Sequence, residues 1–258
     1  MKPTFSIVVP AFNEEKHLEE TLQSLRGILD DRFSSYEVII VNDGSSDATA
    51  QVAERLTRTY PFIRVLHHPH NLGLGSALRS GYRAASKEYV MWFTADNGMV
   101  AESVSEMFRL IGKADIVVPY MTNPECRPWQ RRLISKTYTF LINFLFGLSV
   151  RYFNGGAIYR TEDVKNLSSS TEGFAFMAET LVRLIKQGRS YIEFSQLQRD
   201  RLHGRTKAFR LKNVVNVLKT IGVLFWKIRI RRAFPKPLPR RETHQDPQPA
   251  PRASASLP

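Results

Sequence analysis

The stretch "YEVIIVNDGSSDATAQVAERL", Tyr36 to Leu56, carries the pattern that decides the fold. An apolar, β-branched run (36–41) ends in a polar turn. Asp47 stands in capping position, and apolar residues then recur at helical spacing. The same order of strand, turn and helix repeats through the first half of the chain. "FSIVVP" (5–10), "FIRVLH" (62–67), "YVMWFT" (89–94) and "DIVVPY" (115–120) read as further strands. Helical patterns run roughly from Glu14 to Leu29, Asp47 to Tyr60, Gly73 to Ala85 and Glu102 to Ile111. Alternation at this spacing requires right-handed crossovers, hence an α/β fold with a mostly parallel sheet and helices on both faces.

A chain of 258 residues can bury a full core in one large or two small domains. Its lone cysteine, Cys126, excludes an internal disulfide framework and suits a reducing cytoplasm. The start, "MKPTFSIVVPAFNEE", is not a signal peptide, because its apolar run is short and leads into acids. The net charge of +13 is unevenly placed. Arg201 to Arg241 holds thirteen Lys and Arg and no Asp or Glu, while the remainder carries 24 basic and 24 acidic residues. So localised an excess points to a polyanionic partner: nucleic acid, an anionic membrane surface or a phosphorylated ligand.

The second half is organised differently. "QRRLISKTYTFLINFLFGLSVRY" is helical and very apolar, but its uncharged run, Thr137 to Val150, has only fourteen residues. A spanning helix needs about 20. It reads either as a buried helix or as one lying at a membrane interface. "FRLKNVVNVLKTIGVLFWKIRIRR" (209–232) puts Leu211, Val214, Val215, Leu218, Ile221, Phe225 and Ile228 on one stripe, with Lys and Arg at both ends and Trp226 beside the last cluster. A basic amphipathic helix of this kind suits an anionic membrane surface, or packs on the domain with a solvated basic end. Its aromatics lie on or beside the apolar stripe and form no base-stacking platform, so nucleic acid is not the expected partner. From Pro235 to Pro258 seven of 24 residues are proline, the composition of a disordered tail.

In open α/β sheets ligands bind beyond the carboxyl ends of the strands, at the switch in strand order. "PAFNEE", "VNDGSSD" and "TADNG" follow the first, second and fourth strands. Asn, Asp and Gly are common turn formers, but acid-bearing clusters gathered at one sheet edge suit a sugar nucleotide with a metal. Asp43 can accept hydrogen bonds from a base N–H or a ribose hydroxyl, and Glu14 can do likewise. Asp96 can ligate Mg²⁺ or Mn²⁺, cations that take one or two carboxylates plus phosphate oxygens. "GLGSALRSG" (73–81) is no dinucleotide fingerprint, since it lacks the spacing and does not leave the first strand.

Together "SIVVPAFNEE", "YEVIIVNDGSSDAT", "NLGLGSALRSGYRAA" and "YVMWFTADNG" resemble consecutive motifs of the family 2 glycosyltransferases with the GT-A fold. The closer likeness is to polyprenyl-phosphate sugar synthases of the dolichol-phosphate mannose synthase type. It continues through "RRLISK", "FNGGAIYR", "GFAFMAETLVRLIKQG" and "DRLHGRTKAFRLKN", covering about Phe5 to Lys212. The resemblance implies an inverting transfer of a sugar from a GDP-mannose- or UDP-glucose-type donor to a polyprenyl or dolichyl phosphate, at the cytoplasmic face of a membrane. It implies a GT-A domain over 1–212, with a nucleotide-binding half (1–120) and an acceptor-binding half (121–212). A membrane-interface helix (213–234) and the disordered tail (235–258) follow.

By position, Pro10, Phe12 and Glu14 match the family's first nucleotide-contacting turn, Asp43 its base- or ribose-binding acid, and Ala95 and Asp96 the end of its Asp-x-Asp metal motif. Arg201 and Lys207 match a basic pair that holds diphosphate and acceptor, and Arg131 and Ser135 match residues near the acceptor phosphate. Thr94 stands where the family has the first metal Asp, and Gly98 where it often has a polar ligand. Metal affinity is therefore expected to fall, with a divalent cation still the expected cofactor. Met121 falls near the place of an expected arginine. The lipid phosphate is an anion at neutral pH, so the transfer needs positioning and charge compensation rather than a catalytic base. Glu179, at a helix start, is expected only to support the acceptor side. The competing expectation is a non-catalytic or metal-weakened scaffold that binds nucleotide-sugar or lipid phosphate. With no spanning helix in the sequence, membrane attachment is expected to be peripheral or through a partner protein.

Overall fold

The computed structural model describes residues 2–30, 32–96, 98–165, 167, 173, 175–198, 222 and 225. Strands β1 (Thr4–Ala11), β2 (Ser35–Asn42), β3 (Ile63–His67) and β4 (Tyr89–Trp92) alternate with helices α1 (Leu18–Leu29), α2 (Thr49–Thr59) and α3 (Leu74–Ala84). Then follow α4 (Ala101–Met107), β5 (Ile116–Met121), α5 (Trp129–Phe146), β6 (Tyr159–Arg160), α6 (Thr161–Lys165), α7 (Ala175–Lys186) and β7 (Tyr191–Gln196). The main sheet has the order β3-β2-β1-β4-β6. Its first four strands run parallel and β6 antiparallel to β4. A second parallel ladder, β5 with β7, joins it where Val117 and Ile158 exchange backbone hydrogen bonds of 3.1 and 2.9 Å. The strand order reverses between β1 and β4, which puts the switch point at their carboxyl ends.

Alternation along the strands builds a core on each face. Ile7, Val9, Val38 and Ile40 pack with Leu18, Leu22 and Leu25 of α1, Ala53 and Leu56 of α2, and Val104 and Met107 of α4. Val8, Ile39 and Val41 point the other way, onto Leu78 and Tyr82 of α3, Ile142 and Phe146 of α5, and Leu181 and Leu184 of α7. The sheet is covered on both faces, as the runs of Val and Ile demand.

Some boundaries differ from the sequence expectation. The first helix begins at Leu18, not Glu14. The backbone amides of Glu14 and Glu15 are taken instead by Thr49 Oγ1 (2.8 Å) and Asp47 Oδ2 (3.3 Å) of the neighbouring turn. The fourth strand ends at Trp92, leaving Phe93 and Thr94 in the turn. Of the amphipathic helix expected over 213–234, only Gly222 and Phe225 are described. Both are helical, and Phe225 packs against the α3–α5–α7 core. The proline-rich tail (235–258), with Arg201 and Lys207, lies outside the described residues.

At the amino ends of the strands, Glu37 stitches the sheet together. Its carboxylate accepts from Ser6 Oγ (2.7 Å), Ser86 N (2.6 Å) and Ser86 Oγ (2.9 Å), and pairs with Arg64 at 2.7 Å. Burial pushes this carboxyl up, but the hydrogen bonds from Ser6 and Ser86 and the Arg64 charge outweigh it and hold it below the ordinary glutamate range. On the α3 face, Gly81 lets the helix sit directly on β1, since a Cβ there would lie 2.2 Å from Val8 Cγ1.

Two outcomes follow. A group whose pKa is depressed by folding contributes full stability above its unfolded pKa and loses it as pH falls through the folded value. Urea titrations from neutral pH down through the carboxylate range are therefore expected to show Glu37→Gln with a lower plateau and a shallower acid limb than wild type. Gly81→Ala is expected to cost about 1–3 kcal/mol by overpacking. Adding Val8→Ala should make the double variant less destabilised than the sum of the two single ones, in calorimetric melts.

Candidate active site

The turns after β1 and β2 are zipped into one rim. Asn13 takes a positive φ of 60°. That conformation is tolerable for Asn. Its amide donates to Ser45 Oγ (3.0 Å), and its side-chain oxygen accepts from Ser46 N (2.9 Å). Glu15 returns the contact by accepting from Ala48 N (2.9 Å). Asp47, expected in capping position, stands one residue before the N-cap, Ala48, which has no side-chain cap; Asp47 accepts from Thr49 N (2.9 Å) at the helix start. Pro10, Phe12 and Glu14 all lie along this rim, each partly buried.

Asp43 sits at the centre, 4% exposed. Its amide donates to Ala11 O (2.9 Å), holding the β2 turn to β1. Oδ1 bonds His68 Nδ1 (2.7 Å) and accepts from Leu72 N (2.9 Å), and Oδ2 accepts from Gly73 N (2.9 Å). His68 Nε2 in turn meets Ser80 Oγ at 2.9 Å. Much of the carboxylate's capacity is thus spent inside the protein, fixing the start of α3. By its lone pairs Oδ2 can accept one further donor. Gly44 permits this closeness: its φ is 66°, and a Cβ there would lie 2.3 Å from the His70 carbonyl carbon.

The turn after β4 completes the arrangement. Thr21 Oγ1, buried on α1, donates to Ala95 O (3.0 Å) and so holds the third turn against the first helix. Asp96 Oδ1 accepts from Gly98 N (3.1 Å). Thr94 Oγ1 is buried and has no hydrogen-bond partner among the described residues. A Cβ on Gly98 would lie 2.9 Å from Asp96 Oδ1 and 3.7 Å from Thr94 Oγ1. The missing side chain therefore leaves a small space faced by both oxygens. A buried hydroxyl with no partner is costly, and an oxygen-seeking cation with its waters would satisfy it. The residues present fit such a group, with a single carboxylate where the sequence pattern suggested an altered metal site. Among the described residues, no three or more of His, Cys, Asp and Glu gather as a ready-made metal cluster.

The other expected residues divide. Arg131 and Ser135 sit one turn apart on α5, both partly buried. Glu179 is buried and paired with Arg183 at 2.7 Å, a structural use. Sequence reasoning did not single out Thr21, Asn13 or His68, nor the link that precedes the basic segment in the sequence. In that link Met99 bridges Gln198, whose backbone is also held by Asn123 (2.7 and 3.1 Å) and whose side chain bonds Arg127. Gln198 stands three residues before Arg201 in the sequence. Close to the same turn, Trp92 Nε1 donates to Gly155 O (3.2 Å). A Cβ on Gly156 would lie 2.5 Å from Trp92 O, so "FNGGA" packs against β4 only with glycine there.

Known proteins resemble this chain in sequence and in fold. The chain is 33% identical over 144 residues to dolichyl-phosphate beta-glucosyltransferase ALG5D of Trichomonas vaginalis, a stretch that is 51% of this chain and 44% of that protein. It is 32% identical over 117 residues to the putative glycosyltransferase EpsH of Bacillus subtilis, covering 45% of this chain and 33% of that protein. The matched stretches thus span less than half the length of these curated relatives. Among solved structures, glucosyl-3-phosphoglycerate synthase of Mycobacterium tuberculosis, in complex with Mn²⁺, UDP and phosphoglyceric acid, superposes with a TM-score of 0.65. That likeness covers 85% of this chain and 79% of the other at 17% identity, and it bears on the fold alone. The model of glycosyl transferase family 2 matches residues 6–167, from β1 through the switch point and α5 to the end of α6, and the chain belongs to that family.

Proposed function

We propose that this glycosyltransferase moves a sugar from a nucleotide-sugar to a polyprenyl or dolichyl phosphate at the cytoplasmic face of a membrane, with inversion. A UDP-glucose-type donor is favoured over GDP-mannose, because the relative ALG5D is a dolichyl-phosphate beta-glucosyltransferase. The observation that carries the reading is the set of turns at the sheet's switch point, which bear Asp43, Asp96 and a buried Thr94 hydroxyl with no hydrogen-bond partner among the described residues.

A phosphate oxygen of the acceptor attacks the anomeric carbon as the bond to the donor's diphosphate breaks. The bonding pair leaves with the nucleotide diphosphate. No proton has to be removed from the nucleophile, which agrees with Glu179 being committed to Arg183. Asp96, with Thr94 through water, would hold Mg²⁺ or Mn²⁺; when bound, that ion offsets diphosphate charge. Asp43 and Glu14 orient the nucleoside. Arg201 and Lys207 supply cationic charge for the diphosphate, and Arg131 and Ser135 receive the acceptor phosphate.

Thr94 favours one competing reading, a scaffold that binds donor without transferring sugar. The deciding assay offers radiolabelled UDP-glucose and GDP-mannose, short-chain polyprenyl phosphate, and Mn²⁺, Mg²⁺ or EDTA, and follows label into the organic phase. Metal-stimulated transfer from one donor is expected. Asp96→Asn should lower it by about 10²-fold or more, and Thr94→Asp should lower the metal concentration needed for half-maximal rate. Donor binding without transfer from any sugar would favour the scaffold.

A further inference from the structure

Helix α5 presents an apolar stripe that stands exposed among the described residues. Trp129, Leu133, Phe140 and Phe144 are 66, 56, 69 and 72% exposed. On a helix of 3.6 residues per turn they fall within about 60° of one another. Phe140 and Phe144 stack on each other, with ring centroids 6.2 Å apart. The opposite side of the same helix is accounted for, since Ile142 and Phe146 are buried in the core against α3 and α7. Isolated surface apolar residues need no explanation, but an aligned row of large ones on a single helix does.

The charges around the stripe are of one sign. Between Glu125 and Glu162 there are six Arg and Lys and no Asp or Glu. Of these, Arg132 and Lys136 are exposed and border the stripe along its amino-terminal half. No helix among the described residues is long and apolar enough to cross a membrane. An apolar stripe with a tryptophan at one end, cations along its edge and no acid on the helix matches a surface that lies in the headgroup layer. Aromatic and aliphatic side chains enter the acyl boundary there, while long basic side chains reach back to phosphate.

We infer that α5 is a docking surface for an anionic lipid bilayer, with Trp129, Leu133, Phe140 and Phe144 inserted and Arg132 and Lys136 on headgroup phosphates. The inference deepens the proposed lipid-phosphate acceptor and in that respect rests on it. Arg131 and Ser135 project from the side of α5 away from the stripe, so an acceptor phosphate held by them is separated from the bilayer by the width of one helix, about 10 Å. The surface itself is argued from exposure and charge alone.

The test uses the full chain with vesicles of phosphatidylcholine, with and without phosphatidylserine, and reads the bound fraction by cosedimentation. Wild type is expected to bind the anionic vesicles more tightly. Phe140→Glu/Phe144→Glu should reduce that binding by about tenfold or more. Its thermal melt should stay unchanged, because both side chains are exposed. Failure of wild type to bind would overturn the inference, as would a double variant that binds as well as wild type. So would a dimer abolished by the double substitution while vesicle binding persists, since a second copy would then be what covers the stripe. Transfer to short-chain polyprenyl phosphate without vesicles is measured in parallel. Vesicle binding lost in the double variant with no transfer by either protein leaves the docking surface standing and the acceptor reading overturned; transfer by both with no vesicle binding does the reverse.

Discussion

The active end of this molecule hangs on one buried carboxylate. Asp43 closes the β2 turn by accepting from the amides of Leu72 and Gly73, where the chain enters α3, and by bonding His68. A buried anion without such donors would cost several kcal/mol. Satisfied at the amino end of a helix, it becomes a rivet. The turn after β1 is then fixed, because the Asp43 amide reaches Ala11 and the Asn13 contacts reach Ser45 and Ser46. The turn after β4 is held separately, by Thr21 on α1. Each turn of the rim is thus tied to another part of the fold by hydrogen bonds made within the protein. Under the proposed transfer, which removes no proton from the nucleophile, such positioning is where the rate would be found.

The two ends of the sheet divide the work. At the amino ends Glu37 has its donors supplied by Ser6, Ser86 and Arg64, and it serves stability. At the carboxyl ends polar atoms are left incompletely used among the described residues: the second oxygen of Asp43, and the Thr94 hydroxyl, which has no partner there. Sites of binding are expected where satisfaction is withheld, since a ligand can only be paid in hydrogen bonds that the protein has not already made.

Legibility in the sequence followed the range of the interactions. The first four strands were readable because continuous β-branched runs report burial on both faces, and the turns were readable because they are dense in Asn, Asp and Gly. Helix starts were less so. The acids at 14 and 15 look like a first helical turn, yet their amides serve Thr49 and Asp47 more than thirty residues away. β6 was invisible at two residues, and it exists only because β4 offers an open edge. That Asp43 would matter was legible from its residue type and place. That it would spend its oxygens on Leu72, Gly73 and His68 was not, because those partners arrive through a crossover. Thr21 gave no signal at all: a threonine in an amphipathic helix looks like any other until Ala95 is folded against it.

The single carboxylate after β4 has a consequence for charge. A nucleotide diphosphate brings at least two negative charges, and a turn with Thr94 in place of a second acid repels them less but also draws a divalent cation less strongly. Compensation must then come from fixed cations, and the chain concentrates those in one segment, thirteen Lys and Arg without an acid between Arg201 and Arg241. The entry to that segment is anchored with unusual care. Gln198 is bridged to Met99, just past the altered turn, and is held from the other side by Asn123 and Arg127. Under the proposed transfer, the missing acid at this turn and the basic stretch that follows Gln198 in the sequence would be two sides of one electrostatic balance, in which neutralisation shifts from metal toward Arg and Lys. On that reading Arg201 and Lys207 would carry more of the charge compensation than they would beside a complete pair of acids, and the dependence on metal would be one of degree.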